Sequence, residues 1–318
     1  MTKKQAKRQT PTTLTDVQRS FKAERSCKTH LERQRWPDKI PICIYCQKPA
    51  FKTATGYKCT DRKTCKGIFN IRTGTIYEKS NVPLPKWFTA IHYATRKRGI
   101  NSIELANEIG VTQKTAYRML EQIRKLFRQV PPKQMRDIIS IDEKYFGGLE
   151  KWKNEVDRIG GTQGRSTKTK IPVICIYHWS GYTHLRIAKN AKAVTLKMII
   201  KPLVKPGTIV ITDSLKSYNW LTKAGYLHVS LNHKAGEMAR GCFHNNYPEN
   251  VFHHLNRFIR GTFLHVNKQN LQQYLDWFCF LFNNHKQDKC LALINLSAQI
   301  LPTPAIILPV AKKVKKAA

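Results

Sequence analysis

Three carboxylates in a very basic chain, Asp142, Asp213 and Glu249, have the residue types and settings for chemistry. Seventy residues separate the first two and thirty-five the last two. Each aspartate closes a short apolar run: Asp142 follows Ile138-Ile139-Ser140-Ile141, and Asp213 follows Thr208-Ile209-Val210-Ile211-Thr212. Glu249 follows Pro248 and precedes Val251, Phe252, Leu255, Phe258 and Ile259, which mark one face of a helix. Two strand-end aspartates and a helix-borne glutamate can converge on a pair of Mg²⁺ (or Mn²⁺) ions. Two such ions activate a water or hydroxyl and stabilise the leaving oxygen of a phosphodiester.

The choice among acids follows from geometry. Asp142 and Glu143 are neighbours on a strand, so their side chains point to opposite faces, and only one can face the ions. Asp142 is chosen because the helical third acid must come from the same face. After Asp213 the chain offers only Glu237, Glu249, Asp276 and Asp288. Asp276 lies in an apolar run of packing-helix character, Asp288 follows it, and Glu237 falls in a loop. Glu249 at a helix start is the one held rigidly.

The elements that must position these acids read as a mixed α/β layer. Strand-like runs cover 138–141, 172–178, 184–188 and 208–212, with a helix-like run at 193–204 before the fourth. Three strands, a helix, another strand and later helices is the order of a ribonuclease-H-like fold. In that fold, carboxylates on the first and fourth strands lie side by side.

Fifty-six Lys and Arg against twenty Asp and Glu give a formal net charge of +36 and a pI near 10.1. A polyanion is the expected partner, and with the three acids that polyanion is DNA; no small-molecule substrate is implied. No apolar run approaches the ~20 residues of a membrane span, and no apolar core follows Met1-Thr2-Lys3-Lys4-Gln5, as a signal peptide requires. Nine cysteines, an odd number, fit a reducing compartment rather than a disulfide framework. A cytoplasmic, nucleoid-associated protein is expected.

Ahead of the α/β region lie two smaller pieces. Cys43-x2-Cys46, twelve residues, then Cys59-x5-Cys65 form two knuckles whose four thiolates suit structural Zn²⁺. So short a segment has no adequate core, and the metal supplies folding energy. Cys27 and His30 are not counted as ligands; Cys27 reads as a small core residue. Next, residues 101–120 read as a helix-turn-helix. Ser102 caps a first helix, Ala106 is small where helices approach, Gly110 makes the turn, and Thr112 caps a second helix. Ile103, Leu105, Ile109, Ala116 and Met119 supply apolar contacts. Gln113, Lys114, Thr115, Tyr117 and Arg118 then face the major groove or its phosphates.

The expected organisation is a basic helical segment over 1–40, a zinc ribbon over 41–80, the helix-turn-helix region over 81–130, a catalytic domain over 136–290, and an extension over 291–318 with a disordered basic tail from Lys312.

These residues resemble the zinc-ribbon DDE transposases of bacterial insertion sequences, the ISXO-two-like group related to Merlin elements. The resemblance runs over about residues 13–285. It rests on Cys27 ahead of Arg35-Trp36-Pro37, the four cysteines, Arg72-Thr73-Gly74-Thr75-Ile76-Tyr77-Glu78 and Pro83-Leu84-Pro85-Lys86-Trp87. It continues through the helix-turn-helix, Ile141-Asp142-Glu143-Lys144-Tyr145-Phe146-Gly147-Gly148, and Thr212-Asp213 followed by Ser217-Tyr218. Asn232-His233, His244-x-Asn246-x2-Glu249 and Arg260-Gly261-Thr262 complete it.

The resemblance implies transposition by cut and paste or a close variant. A homo-oligomer would bind the terminal inverted repeats of its own element, expose 3′-hydroxyls by hydrolysis and join them to target DNA. The family's third metal ligand falls on Glu249. Many relatives carry Lys seven residues later, where this chain has Asn256, followed by Arg257; both are expected to face DNA. The Trp often found near the glutamate is missing, with Phe252 nearby. Two other readings stay open: a ribonuclease-H-like nuclease or resolvase, and a non-enzymatic DNA-binding regulator built on the ribbon and helix-turn-helix.

Overall fold

The computed structural model describes residues 12–61, 63–65, 67–128, 134–147, 170–232, 235–237 and 239–301. The basic tail from Lys312, the first eleven residues of the N-terminal segment, and the motif residues Gly148 and His233 lie outside the described residues. The chain divides into two compact units.

One unit comprises Thr15–Phe88 with Ala292–Ala318. Helices α1 (Leu14–Ser20) and α2 (Glu24–Arg35) precede strands β1 (Ala50–Lys52), β2 (Tyr57–Cys59) and β3 (Ile68–Phe69), which form a small antiparallel sheet in that order. Strands this short bury little; Trp36, Tyr57 and Phe69 form the apolar contact, with Tyr57 and Phe69 stacked at 5.4 Å between ring centroids. On α2, Glu32 accepts from Lys52 and Tyr57, and Glu24 pairs with Arg72 at 2.7 Å.

The other unit comprises Met1–Leu14 and Thr89–Leu291. Following α3 (Leu84–Ala94), α4 (Ser102–Ile109) and α5 (Gln113–Leu126) make the helix-turn-helix. Gly110 ends α4 with φ +62°, a left-handed conformation that glycine adopts without strain. Thr112 caps α5 as expected, accepting from the Thr115 amide at 3.3 Å. The cap of α4 is Asn101 rather than Ser102: its side chain accepts from the amides of Ile103 and Glu104, and Ser102 is already helical. Leu105, Ala106, Ile109, Ala116 and Met119 are buried, but Ile103 is 60% exposed, because it lies on the outer side of α4.

The sheet that follows has the order β6-β5-β4-β7-β8. Its strands are β4 (Ile138–Phe146), β5 (Ile171–His178), β6 (Tyr182–Ile187), β7 (Ile209–Asp213) and β8 (Leu227–Leu231), with α6 (Ala193–Ile200) ahead of β7 and α7 (Trp220–Lys223) ahead of β8. β4, β5 and β6 are antiparallel neighbours; β7 runs parallel to β4 and β8 parallel to β7. This strand order and sense is the ribonuclease-H-like arrangement. β4 continues past Asp142 to Phe146, so Asp142 is not a strand end: the polar stretch 142–144 stays extended because β5 pairs with it through Ile174 and Val173. The fifth strand, β8, has no counterpart in the sequence reading, and the helix over 193–204 stops at Ile200.

One face of the sheet packs Ile139, Ile141, Ile174, Ile176 and Val210 against Leu196 and Ile200 of α6 and against Tyr218. The other face meets α8 (Asn246–Thr262) and α9 (Leu271–Asn283), which follow the short hairpin of β9 (Ala239–Arg240) and β10 (Phe243–His244). Edge strand β6 is tied to α9, since Gln272 and Asn283 exchange hydrogen bonds with the backbone of Thr183, Leu185 and Ile187. α9 also packs on α5, where Arg124 donates to Gln273 and Phe127 stacks on Trp277. α10 (Lys289–Leu296) is the last helix of the described residues, and Asp288 accepts from its Cys290 and Leu291 amides. Among the described residues no helix is long and apolar enough to cross a membrane.

Candidate functional site

Strand register brings the two aspartates together. β4 and β7 pair at Ile138↔Ile209, Ile139↔Val210 and Ser140↔Ile211. Carried on by two residues, that register sets Asp142 level with Asp213 on adjacent strands. Side chains alternate along a strand, so both aspartates share a face with Ser140 and Ile211. Glu143 lies on the opposite face, where Tyr218 donates to its Oε2 at 2.9 Å. Tyr218 is fully buried, and burial first, then the Glu143 charge, pushes its phenol well above the ordinary range. The Asp142 carboxylate accepts from the Glu143 amide at 2.9 Å, and that of Asp213 from the Leu215 amide at 3.1 Å. Both side chains are thereby oriented by backbone donors.

The face carrying the aspartates is the one α8 covers. Asn245, buried just ahead of α8, donates to the Ile141 carbonyl at 3.4 Å. Tyr247, in the first turn, stacks on Tyr177 of β5 with centroids 4.9 Å apart, and Trp179 meets Tyr247 edge-on at 5.5 Å. Trp179 also donates to Ser140, two residues before Asp142, and stacks on His244. This aromatic cluster docks the start of α8 on β4 and β5, and Glu249 sits in that first turn with its side chain exposed. Of the other acids, Asp276 is buried in α9 and accepts from Gln272, and Glu237 pairs with Arg240.

Among the described residues, four cysteines are the one group of three or more metal-capable side chains whose ligand atoms all lie within 4.8 Å of one another. The oxygens of Asp142, Asp213 and Glu249 are therefore not drawn within that spacing as a trio. A pair of ions about 3.5–4 Å apart spans a wider donor set than a single ion does. Three carboxylates from β4, β7 and α8 are hard oxygen donors of the kind Mg²⁺ and Mn²⁺ take.

The cysteine group is Cys43, Cys46, Cys59 and Cys65. Sulfur–sulfur distances of 3.8 Å (Cys43 to Cys65) and 3.3 Å (Cys46 to Cys59) suit four thiolates around one ion. The wide second knuckle is folded by Asp61, whose Oδ1 accepts from the amides of Lys63 and Thr64 and whose Oδ2 pairs with Lys48. Gly67 closes it: a Cβ there would stand 2.6 Å from the Tyr45 ring and 3.3 Å from the Cys65 sulfur. Burial raises the Cys43 thiol, but hydrogen bonds with the amides of Tyr45 and Cys46 and with the Cys46 and Cys65 side chains together bring it down to about 7. Cys27 stands apart, buried with its thiol toward the Phe21 carbonyl, and His30 bonds Asn295.

On α5, Gln113, Lys114, Tyr117 and Arg118 are exposed and Thr115 is half-buried beside its cap. On α8, Val251, Phe252, Leu255, Phe258 and Ile259 form the buried stripe, while Arg257 is exposed and Asn256 half-buried. Nothing in the sequence pattern marks a role for Asn245, Tyr247, Trp179 or Tyr218. Of these only Tyr218 stood in a quoted motif, and nothing local marks its partner seventy-five residues away.

Residues 134–283 match the family described as the ISXO2-like transposase domain. A protein in the transposable element ISH50 of Halobacterium salinarum is 27% identical over 271 residues, covering 81% of this chain and 90% of that protein. A transposase-like protein of Haemophilus influenzae is 31% identical over 98 residues, covering 31% of this chain and 78% of that protein. Among solved structures, the pre-cleavage Mos1 transpososome aligns over 67% of this chain and 79% of that chain at 11% identity, with a TM-score of 0.27. At that score the likeness carries nothing about the fold, which rests on strand order.

Proposed function

We propose that this chain, which belongs to the ISXO2-like transposase family, binds the terminal inverted repeats of its insertion sequence and cleaves and joins DNA through Asp142, Asp213 and Glu249. The observation that carries this reading is the β4–β7 register, with the two aspartates level on one sheet face and Glu249 in the helix turn docked on that face. The three carboxylates would hold two Mg²⁺ (or Mn²⁺) ions, which would supply nucleophile activation and charge stabilisation at the scissile phosphate. The residues themselves orient: backbone donors fix the two aspartates, and the Tyr177–Tyr247 stack fixes the glutamate's helix.

DNA is held by the rest of the molecule. Gln113, Lys114, Thr115, Tyr117 and Arg118 on α5 read the end sequence, and Asn256 and Arg257 on α8 contact the strand at the active site. Cys43, Cys46, Cys59 and Cys65 hold a structural Zn²⁺. The protein assembles as a homo-oligomer on DNA in the cytoplasm, with target DNA as second substrate.

The test supplies DNA ending in the element's terminal repeats, together with Mg²⁺ and a target plasmid. Wild type yields joined products. Asp142→Asn, Asp213→Asn and Glu249→Gln each abolish cleavage and joining, since each loses a ligand for the ions directed at the reacting phosphate; their DNA affinity is unchanged or higher, because a negative charge is gone. Cutting without joining identifies a nuclease or resolvase, and binding without any nicking identifies a regulator.

A further inference from the structure

We infer that Tyr218 and Glu143 form a buried clamp that sets the separation of Asp142 and Asp213, making Tyr218 a positioning residue of the proposed two-ion site. The inference rests on the transposase reading of that site.

It begins where the backbone ladder stops. β4 and β7 are paired through Ser140↔Ile211 and no further, and both aspartates lie two residues beyond that last pair. Each acid still has its outer neighbour: Asp142 pairs with Cys175 of β5, and Asp213 with Leu231 of β8. Each is therefore fixed within its own half of the sheet. The β4–β7 ladder itself does not extend to the level of the acids. Adjacent strands twist relative to one another, so beyond the ladder a side-chain bridge between the halves helps to fix their spacing.

Among the described residues, a side-chain hydrogen bond joins the two halves here. Glu143 is the residue after Asp142, and Tyr218 closes the 3₁₀ turn Lys216–Tyr218 that follows Asp213. The Tyr218 hydroxyl donates to Glu143 Oε2 at 2.9 Å. Tyr218 is fully buried in the core with Ile139, Ile141 and Val210, so its ring cannot swing aside without opening that core. A hydrogen bond to a carboxylate is stronger than one between neutral groups. The clamp thus joins the strand of one acid to the turn after the other, on the face opposite the ions. Two carboxylates facing each other repel before ions bind. Holding them at a fixed separation removes a rearrangement from ion binding, as residues behind metal ligands do elsewhere.

The test measures Mn²⁺ binding by electron paramagnetic resonance on the full-length protein, without DNA, alongside DNA-end binding. Tyr218→Phe keeps the ring and removes only the hydroxyl. It is expected to weaken Mn²⁺ affinity by roughly 10-fold or more and to leave end binding unchanged. Glu143→Ala is expected to lose a similar factor, and the double variant no more than the larger single loss, because the two act as one unit. Circular dichroism reports folding; should Tyr218→Phe unfold, Glu143→Ala carries the same expectation alone. Wild-type Mn²⁺ affinity in these variants, or losses that multiply in the double variant, overturns the clamp. A wild-type protein whose Mn²⁺ binding is indifferent to Asp142→Asn overturns instead the site on which the clamp acts.

Discussion

Asn256 stands seven residues after Glu249, about two helical turns along α8 and on nearly the same side. The buried stripe of α8 runs through Val251, Phe252, Leu255, Phe258 and Ile259, and the half-buried Asn256 lies at its edge. A lysine there would hold a phosphate as a point charge; asparagine brings a hydrogen bond without charge. Arg257 is rotated by about 100° and cannot take the same place. Asn256→Lys is therefore expected to tighten binding to the element's ends and raise strand transfer, most visibly at high salt. Equal activity and salt dependence in the two proteins would remove Asn256 from the DNA path. At this scale the three acids could be singled out in the sequence as candidates, because few carboxylates compete with them in so basic a chain. Asn245, Trp179 and Tyr247 could not, because their meaning lies in contacts with Ile141, Ser140 and Tyr177, tens of residues away.

Helices and strands were legible to the extent that their signals are local. Gly110 and Thr112 marked the turn of the helix-turn-helix, because a left-handed residue and a capping hydroxyl follow from residue type. The α4 cap was displaced by one residue, since Asn101 and Ser102 are both good caps and the chain uses the first. β8 escaped because Leu227-His228-Val229-Ser230-Leu231 is short and becomes a strand by pairing with β7. β4 outran its apolar run for the same reason, pairing with β5 beyond Asp142. Two outcomes follow for the elements. Asn101→Ala strands the Ile103 and Glu104 amides and is expected to lower thermal stability by about 1 kcal/mol, whereas Ser102→Ala has little effect; the reverse order in a melting experiment would restore Ser102 as the cap. In the ribbon, elemental analysis is expected to find one Zn²⁺ per chain. Cys43→Ser or Cys59→Ser should lose it, together with the fold of residues 41–80 and specific DNA binding. A folded, DNA-binding preparation without zinc contradicts this.

For the whole molecule, a net charge of +36 makes affinity for any DNA easy and selectivity the harder task. Binding is expected to weaken steeply with salt as Lys and Arg displace counterions. Arg118→Ala should reduce preference for the element's ends by roughly 1–3 kcal/mol if the arginine reads a base pair in two hydrogen bonds. A uniform loss on all DNA makes it a phosphate contact, and no effect on either removes α5 from recognition. The ribonuclease-H-like order was legible from the succession of runs, and with it the side-by-side placing of the first and fourth strands, while the register that sets the aspartates level is a property of the folded sheet. The most direct measurement is anomalous diffraction from crystals of the protein on its terminal-repeat DNA, grown with Mn²⁺. The account predicts two Mn²⁺ peaks ligated by Asp142, Asp213 and Glu249. Manganese bound elsewhere, with these three carboxylates unligated in a complex competent for strand transfer, would contradict it.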